Sequence, residues 1–364
     1  MSANLAQKSR LDLDWLRGLA VALVVISHLF LFYPAVNSSI GFLSNGGHIG
    51  VEIFFVLSGF LISLSWHFDQ NYSRFLLKRS RRILPLMWVV MSCIFFILTP
   101  IFLEWSLFTP SHIFVIFVHL IGLQSLIPAQ IPGLFIGVPL WTLTIEICFY
   151  VSLPFLWDLF IHRPAAFVVA SLFIEISWAI GAEAAAAYFN MSEQWSLYLP
   201  EQLPGQMFSF SLGMLMASFF IKGKHVARFP RRAVIFVGLI ALLFGLCYFD
   251  EISRLGLSSI LFPVVAAAII WASLISERHL CGVLGVRAPH LFHTTFSSLG
   301  RISYSLYLWH FLVLFALYRV TLGDVPFSLF ALIGCGASLA ISILSFNLIE
   351  KPLSSNFAIK GKIS

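Results

Sequence analysis

Leu13-Asp14-Trp15-Leu16-Arg17-Gly18-Leu19-Ala20 opens an apolar run that continues to Ser27-His28-Leu29-Phe30, and this stretch decides the fold. His28 follows Arg17 by about three helical turns, so a helix presents both side chains on one face. With Arg17 at the membrane edge, a rise of about 16 Å places His28 deep in the bilayer. Ionisable groups at that depth face the bundle interior and mark functional sites. A core histidine that bonds to a neighbouring helix is the alternative.

The composition identifies the class of protein. Hydrophobic residues make up 59% of the 364 and charged residues only 10%, whereas soluble domains carry about 25% charged residues. We therefore expect an all-α, polytopic integral membrane bundle. The basic residues cluster in particular loops, so the net charge of +6 does not indicate a nucleic-acid partner. The five cysteines have no spacing typical of a disulfide or a metal site, and no metal is expected.

Eleven hydrophobic segments are candidate membrane spans. They cover residues 16–34, 49–66, 83–101, 112–127, 139–161, 165–182, 203–221, 233–249, 256–275, 299–319 and 327–349. The loop charges test this count, because Lys and Arg concentrate in cytoplasmic loops. The loops at 35–48 and 183–202 contain neither residue and are expected outside.

The loop charges exclude the segment 112–127 as a full membrane crossing. It is short and polar in places, and runs of this length are more often re-entrant or interfacial. Without it about ten crossings remain, both termini are cytoplasmic, and the later basic loops also fall on the cytoplasmic side. The stretch 276–298 is expected to be a connector. The sequence thus predicts one membrane domain over 1–364, with a core over about 14–352.

The second segment carries two ionisable residues at its outer end. His48 and Glu52 are four residues apart, so a helix places them on one face. An interfacial pair and part of a functional site are both open interpretations. Ser58 and Gly59, further along, are small enough to let a neighbouring helix approach closely.

Five cations occur in the nine residues 74–82, at the cytoplasmic boundary of the third segment. Arg79 and Arg82 are three residues apart and share a helix face suited to phosphate groups. A topology signal in contact with lipid headgroups is the alternative. Pro85 suits either the first turn of a helix or a kink near it.

Two later segments carry polar stripes. Glu146 and Tyr150 share a helix face, and so do Tyr307 and His310. An embedded carboxylate must be neutralised or paired, and His28 is a candidate partner of Glu146 by depth. Interhelical hydrogen bonding is the alternative explanation of the second stripe.

Together these motifs resemble the membrane-bound acyltransferase-3 family. The blocks that carry the resemblance are Asp14-x-Leu16-Arg17-Gly18-Leu19-Ala20 with His28, Gly50-Val51-Glu52-Ile53-Phe54-Phe55-Val56-Leu57-Ser58-Gly59-Phe60, Arg79-x-x-Arg82-Ile83-x-Pro85, Trp141-Thr142-Leu143-x-x-Glu146-x-x-x-Tyr150 and Ser303-Tyr304-Ser305-x-Tyr307-Leu308-x-His310. They appear in the family's order and close with Glu350-Lys351-Pro352. Trp15 and Thr142 replace the commoner Gly and Ser, and Glu52 stands where Asp is frequent.

The resemblance implies an enzyme that transfers an acyl group, most often acetyl, from a cytoplasmic coenzyme A thioester to a hydroxyl group. Its acceptors in the family are usually bacterial surface glycans such as O-antigen or exopolysaccharide, which implies a bacterial inner (cytoplasmic) membrane. Acyl-CoA is then a donor substrate, and no cofactor is permanently bound. Expected partners are this donor, a glycan or glycolipid acceptor and the lipid bilayer. Further copies of the chain and polysaccharide-assembly proteins are candidate partners.

The residues themselves suit these roles. Imidazole is a general base with a pKa near neutrality, so His28 is the expected base, which Glu146 would orient or stabilise. Arg17, Arg79 and Arg82 are expected to hold the phosphates of coenzyme A. The expected substrate contacts are His48, Glu52, Tyr150, Tyr307 and His310. A transporter or flippase with a His28–Glu146 proton relay is the alternative, against which the absence of matched broken helices argues.

Overall fold

The computed structural model describes residues 2–33, 36, 41–103, 110–126, 139–191, 199–222, 231–254, 257–274 and 288–353. These residues form no strand, and the expected all-α fold is confirmed. The longer helices are α1 (Ser2–Phe32), α2 (Gly46–Phe68), α3 (Tyr72–Cys93), α4 (Pro110–Leu120), α5 (Trp141–His162), α6 (Pro164–Tyr188), α7 (Met207–Ile221), α8 (Arg231–Cys247), α9 (Ser258–Leu274), α10 (Ala288–Arg301), α11 (Ser303–Thr321) and α12 (Phe327–Ser345).

Several helices are extended by tighter or wider turns. 3-10 turns at Gly41–Asn45 and Leu203–Gln206 lead into α2 and α7. A π turn at Ile94–Leu98 continues α3, and another at Phe346–Glu350 continues α12. A short helix, Phe249–Arg254, lies between α8 and α9.

Seven helices in the described part of the chain are long and apolar enough to cross a membrane. They are α1, α2, α5 and α6, together with α3, α7 and α12 and their extensions. Helices α10 and α11 meet at a bend of 79° and make an eighth if they form one span, whereas α8 and α9 provide only shorter apolar stretches. The chain is therefore a multi-pass membrane protein, and the total of ten crossings stays a prediction.

Helix α4 is the part of segment 112–127 that the structure forms as a helix. Its 11 residues extend about 16 Å, about half of the hydrocarbon thickness, so it cannot cross a membrane alone. Nδ1 of His119 lies 2.8 Å from the carbonyl of Val115, and Gln124 donates to the carbonyl of Leu140 at 2.7 Å. Both side chains thus hydrogen-bond within the bundle, although Oε1 of Gln124 is buried without a partner among the described residues. A re-entrant or interfacial position of α4 stays a prediction.

The third span begins earlier than its hydrophobic pattern indicates. The side chain of Asn71 accepts the backbone N–H of Arg74 at 2.9 Å and caps α3, which begins at Tyr72. Pro85 therefore lies in the interior of the helix, and the expectation that it belongs to a first turn is wrong. The basic residues that precede it are helical, and of these Arg79 is buried whereas Arg74 and Arg81 are exposed.

Helices α1 and α10 pack with their backbones in contact. A Cβ atom on Gly18 would lie 1.8 Å from the carbonyl oxygen of Phe296, and one on Gly300 would lie 1.8 Å from that of Asp14. Only glycine fits at these two positions. Because α10 covers residues 288–301, the expectation of a connector over 276–298 is wrong for its last part.

Helices α2 and α7 cross in the same way, at Gly59 and Gly213. A Cβ atom on Gly59 would lie 2.3 Å from the carbonyl oxygen of Phe210, and one on Gly213 would lie 2.2 Å from that of Val56. The close approach predicted at Gly59 is confirmed. It leaves α2 between α1 on one side and α7 on the other, with its polar residues directed into the bundle.

Candidate active site

An internal cavity of about 800 Å³, here called the arginine cavity, lies between α1, α2, α3, α5 and α11. Its polar and charged lining consists of Arg17, Ser58, Arg79, Arg82, Thr142, Glu146, Tyr150, Ser303, Tyr304 and Tyr307. The cavity thus gathers six of the ten predicted site residues from four helices. The other four, His28, His48, Glu52 and His310, do not line it.

Arg79 is a buried cation with an unsatisfied donor. It is 5% exposed, and its Nε has no hydrogen-bond partner among the described residues. Its guanidinium carbon lies 5.5 Å from the centre of the Phe75 ring and 5.7 Å from that of Tyr150. These aromatic faces stabilise the positive charge but cannot accept the Nε hydrogen as a carboxylate or phosphate would. The site is therefore suited to an anionic ligand.

Asp69 divides the basic run of α3 into two groups. It lies between α2 and α3, where one carboxyl oxygen is 2.5 Å from Nζ of Lys78 and the other is 3.3 Å from Nη1 of Arg74. The hydrogen bond from Lys78, together with both positive charges, lowers the pKa of the Asp69 carboxyl. Arg74 and Lys78 thus have a carboxylate partner outside the cavity, whereas Arg79 and Arg82 line it.

Arg17 enters the cavity from α1 beside several carboxyl groups. Its Nη1 lies 3.6 Å from Oδ1 of Asp14, and the charges of Glu146 and Glu350 also act on it. Glu350 accepts a hydrogen bond from Ser305. These carboxyl groups balance part of the arginine charge, so a ligand meets fixed groups of both signs.

Glu146 is held by hydroxyl groups of the cavity wall. Its Oε1 accepts hydrogen bonds from Ser58, at 3.3 Å, and from Tyr150. The structure does not bring it together with His28, since neither residue contacts the other by a hydrogen bond or an ion pair. Glu146 therefore belongs to the arginine cavity, and the pairing with His28 that depth suggested is absent here.

His28 instead contacts His310, which is fully buried on α11. Nδ1 of His28 lies 3.2 Å from Nε2 of His310, and the ring centres are 5.1 Å apart. Nδ1 of His28 also lies 2.9 Å from the carbonyl oxygen of Val24, and Nδ1 of His310 lies 2.9 Å from that of Leu306. A carbonyl only accepts, so in neutral rings both Nδ1 atoms carry the hydrogen. Nε2 of His28 then keeps a free lone pair, with no partner among the described residues.

Tyr307 connects this histidine pair to the arginine cavity. Its hydroxyl donates to the carbonyl of Pro139 at 2.6 Å and lies 2.8 Å from Oγ1 of Thr142. Its ring centre is 5.9 Å from that of His310. The Tyr307 ring thus stands between the cavity, which it lines, and the buried imidazoles.

His48 and Glu52 line a second cavity of about 680 Å³ at the opposite end of α2 from Arg79. Oε2 of Glu52 accepts the hydroxyl of Ser209 at 2.6 Å, and the His48 ring stacks on that of Phe249 at 5.2 Å. His28 lines neither of the two cavities.

Two further acidic residues of this second cavity escaped the sequence interpretation. Glu175 lies within α6, and Glu201 lies in the turn before α7; both line the cavity with Glu52. We name it the acidic cavity after these three residues. A carboxylate in the middle of an apolar segment, as Glu175 is, was the available signal, because such groups rarely face lipid. Glu201 offered no such signal, since it lies in a loop.

The chain is similar in sequence to several known proteins. The chain is 27% identical over 322 residues to nodulation protein 10 of Rhizobium leguminosarum bv. viciae, covering 83% of this chain and 81% of that protein. It is 27% identical to exopolysaccharide production protein ExoZ of Rhizobium meliloti (84% and 89% covered) and 26% identical to peptidoglycan O-acetyltransferase OatA of Listeria monocytogenes (95% and 56% covered). Among solved structures, none matches significantly.

The model of the acyltransferase-3 family, described as an acyltransferase domain, matches residues 10–346. This match includes every helix that contributes to the two cavities and to the histidine pair. The chain therefore belongs to the acyltransferase-3 family and is a membrane-bound acyltransferase.

Proposed function

We propose that this protein transfers an acyl group, in the simplest case acetyl, from a coenzyme A thioester to a hydroxyl group of a glycan. The observation that carries the proposal is the arginine cavity, in which the buried Arg79 has a donor without a partner.

The donor fits the charges of this cavity. Arg17, Arg79 and Arg82 would hold its phosphate groups by charge-assisted hydrogen bonds, and the free Nε of Arg79 would then have an acceptor. The hydroxyls of Tyr304 and Tyr307, both in the lining, would flank the arm that carries the thioester. The cytoplasmic face of the membrane is the expected entry side, because basic segments such as that of α3 stay there.

The histidine pair supplies the base. Nε2 of His28 would take the proton of the acceptor hydroxyl while that oxygen attacks the thioester carbonyl carbon. The carbon–sulfur bond then breaks, the ester forms, and the imidazolium returns its proton to the departing thiolate. During this step His310 and the carbonyl of Val24 accept from Nδ1 of His28 and stabilise its positive charge. His28 does not line the arginine cavity, and the Tyr307 ring stands between that cavity and the histidine pair. This ring would therefore have to move aside when the donor binds.

The names of the relatives support a glycan acceptor. One relative is named for exopolysaccharide production and another as a peptidoglycan O-acetyltransferase. We extend this class to the present chain and place it in a bacterial cytoplasmic membrane with both termini inside. Donor and acceptor would then approach the His28 region from opposite sides.

The direct test uses purified protein, radiolabelled acetyl-coenzyme A and crude envelope glycan. Label that becomes attached to the glycan and is released by mild alkali is the expected result, because esters are alkali-labile. His28→Gln provides the matched control, since it keeps much of the volume but cannot take up a proton near neutral pH. Uptake of glycan into vesicles without covalent label would instead indicate a transporter and would refute the proposal.

A further inference from the structure

The acidic cavity differs from the arginine cavity in the polar groups that line it. Its lining contains three carboxyl groups, His48 and Gln206 but no Lys or Arg. Ser258 and Ser259 contribute hydroxyl groups at the start of α9. Acidic groups buried without a cation need hydrogen-bond donors, and the cavity has space for a ligand that brings them.

Each carboxyl group uses only one of its oxygens within the described part of the chain. Oε2 of Glu175 accepts the backbone N–H of Phe208 at 2.9 Å, and Oε2 of Glu201 accepts from Gln206 at 3.0 Å. Oε2 of Glu52 accepts from Ser209. Oε1 of each residue has no donor there, although Glu175 is only 4% exposed. Three acceptor oxygens therefore remain for a ligand.

The carboxyl group of Glu201 can also donate a hydrogen bond when it is protonated. It lies before the span that begins at Leu203, and burial raises its pKa to about 7. Near neutral pH its carboxyl group is therefore protonated in part of the molecules. A group that exchanges between donor and acceptor matches a hydroxyl group, which is itself both.

Aromatic rings complete the wall. Trp141, Phe249 and Phe262 line the cavity. The Phe249 ring is stacked between those of His48 and Phe262, at 5.2 and 5.8 Å between ring centres, which leaves the Trp141 ring to face a ligand. A flat apolar face beside several carboxyl oxygens suits a pyranose ring, which has apolar C–H faces and polar hydroxyl edges.

The two cavities are adjacent. Val51 lines both of them, and Trp141 in the acidic cavity is followed by Thr142 in the arginine cavity. A ligand of the acidic cavity would thus lie next to the arginine cavity but away from its cations. This is the place that an acceptor, but not the anionic donor, would take.

We propose that the acidic cavity binds an uncharged, hydroxyl-rich sugar residue of the acceptor and excludes anionic sugars. The role as acceptor subsite rests on the proposed function, whereas sugar binding itself does not. Glu175, Glu201 and Gln206 would bond the hydroxyl groups while Trp141 covers one face of the ring. A uronate or phosphosugar would bring its charge against three carboxyl groups.

Binding is tested without the donor, by tryptophan fluorescence of the purified protein at pH 7. We expect a saturable change with methyl β-glucopyranoside that disappears in Trp141→Phe. Glu175→Gln should weaken it about tenfold, because the carboxyl oxygen that faces the ligand is replaced by an amide NH₂ while the Phe208 contact is kept. Glu183→Gln, on the exposed face of the same helix, is the matched control and should bind as the parent does.

Three results would overturn the inference. The first is methyl β-glucuronide binding as tightly as the glucoside, and the second is unchanged binding in Glu175→Gln. An amino sugar that bound tenfold more tightly would also replace the uncharged class by a cationic one. Acyl-transfer kinetics add a separate readout: Glu175→Gln should raise KM for the glycan but not for acetyl-coenzyme A. Absence of all acyl transfer would refute the proposed function and leave the sugar binding standing.

Discussion

The contact between His28 and His310 predicts that the two residues act as one catalytic unit. Nε2 of His310 is 3.2 Å from Nδ1 of His28, and it accepts from a ring that becomes positively charged when it takes the proton. A hydrogen bond to a charged group contributes about 1.5–3 kcal/mol. With about 1.4 kcal/mol for each factor of ten, the loss of this acceptor corresponds to about 10- to 100-fold in turnover.

His310→Leu removes the acceptor and should lower kcat by that amount, with little change in KM for acetyl-coenzyme A. His310→Gln can place a carbonyl oxygen near the same point and should recover part of the loss. His28→Gln removes the base itself and should cost about 10²–10⁴-fold. In the double variant His28→Gln/His310→Leu no imidazolium forms, so turnover should be no lower than in His28→Gln alone.

The assay is acetyl transfer to glycan by purified protein in detergent, after the thermal midpoint of each variant has been measured to establish that it is folded. The double variant separates the proposed role from simple packing, because a packing defect at the fully buried His310 would slow both backgrounds equally. Wild-type turnover in His310→Leu, or a further tenfold loss in the double variant, would refute the coupling.

Three further predictions concern the donor site, the packing and the topology. Arg79→Gln should raise KM for acetyl-coenzyme A about 10- to 100-fold, because a charge-assisted hydrogen bond is lost. Arg74→Gln is the control and should leave KM unchanged, because the partner of Arg74 lies outside the cavity. Equal effects of the two variants would contradict the conclusion that Arg79, and not Arg74, belongs to the donor site. Gly18→Ala should lower the thermal midpoint, because its Cβ would lie 1.8 Å from a backbone oxygen and overpacking costs about 1–3 kcal/mol. Gly336→Ala, with nothing within 4 Å, should leave the midpoint unchanged. A cysteine placed at Lys222 in a cysteine-free background should react with an impermeant maleimide only after cell lysis; labelling of intact cells would reverse the topology.

The class of the protein and much of its site follow from local patterns. Composition and apolar segment length require a helical membrane bundle, because only helices satisfy the backbone of such segments in lipid. Helical periodicity places Arg79 and Arg82 on one face, and both do line one cavity. Gly59 likewise predicts a close helix crossing from its size alone. Each of these inferences uses residues within a few turns of one helix.

Which helix faces contact each other depends, in contrast, on the tertiary packing. Depth suggested Glu146 as the partner of His28, whereas the packing of α1 against α11 brings His310 to it instead. Glu201, in a loop with no periodicity of its own, joins Glu52 and Glu175 only because α2, α6 and α7 converge. Depth and face are set within a helix by its rise and rotation per residue. Contact between helices far apart in the chain depends instead on how their side chains and glycines interlock, which no local pattern encodes.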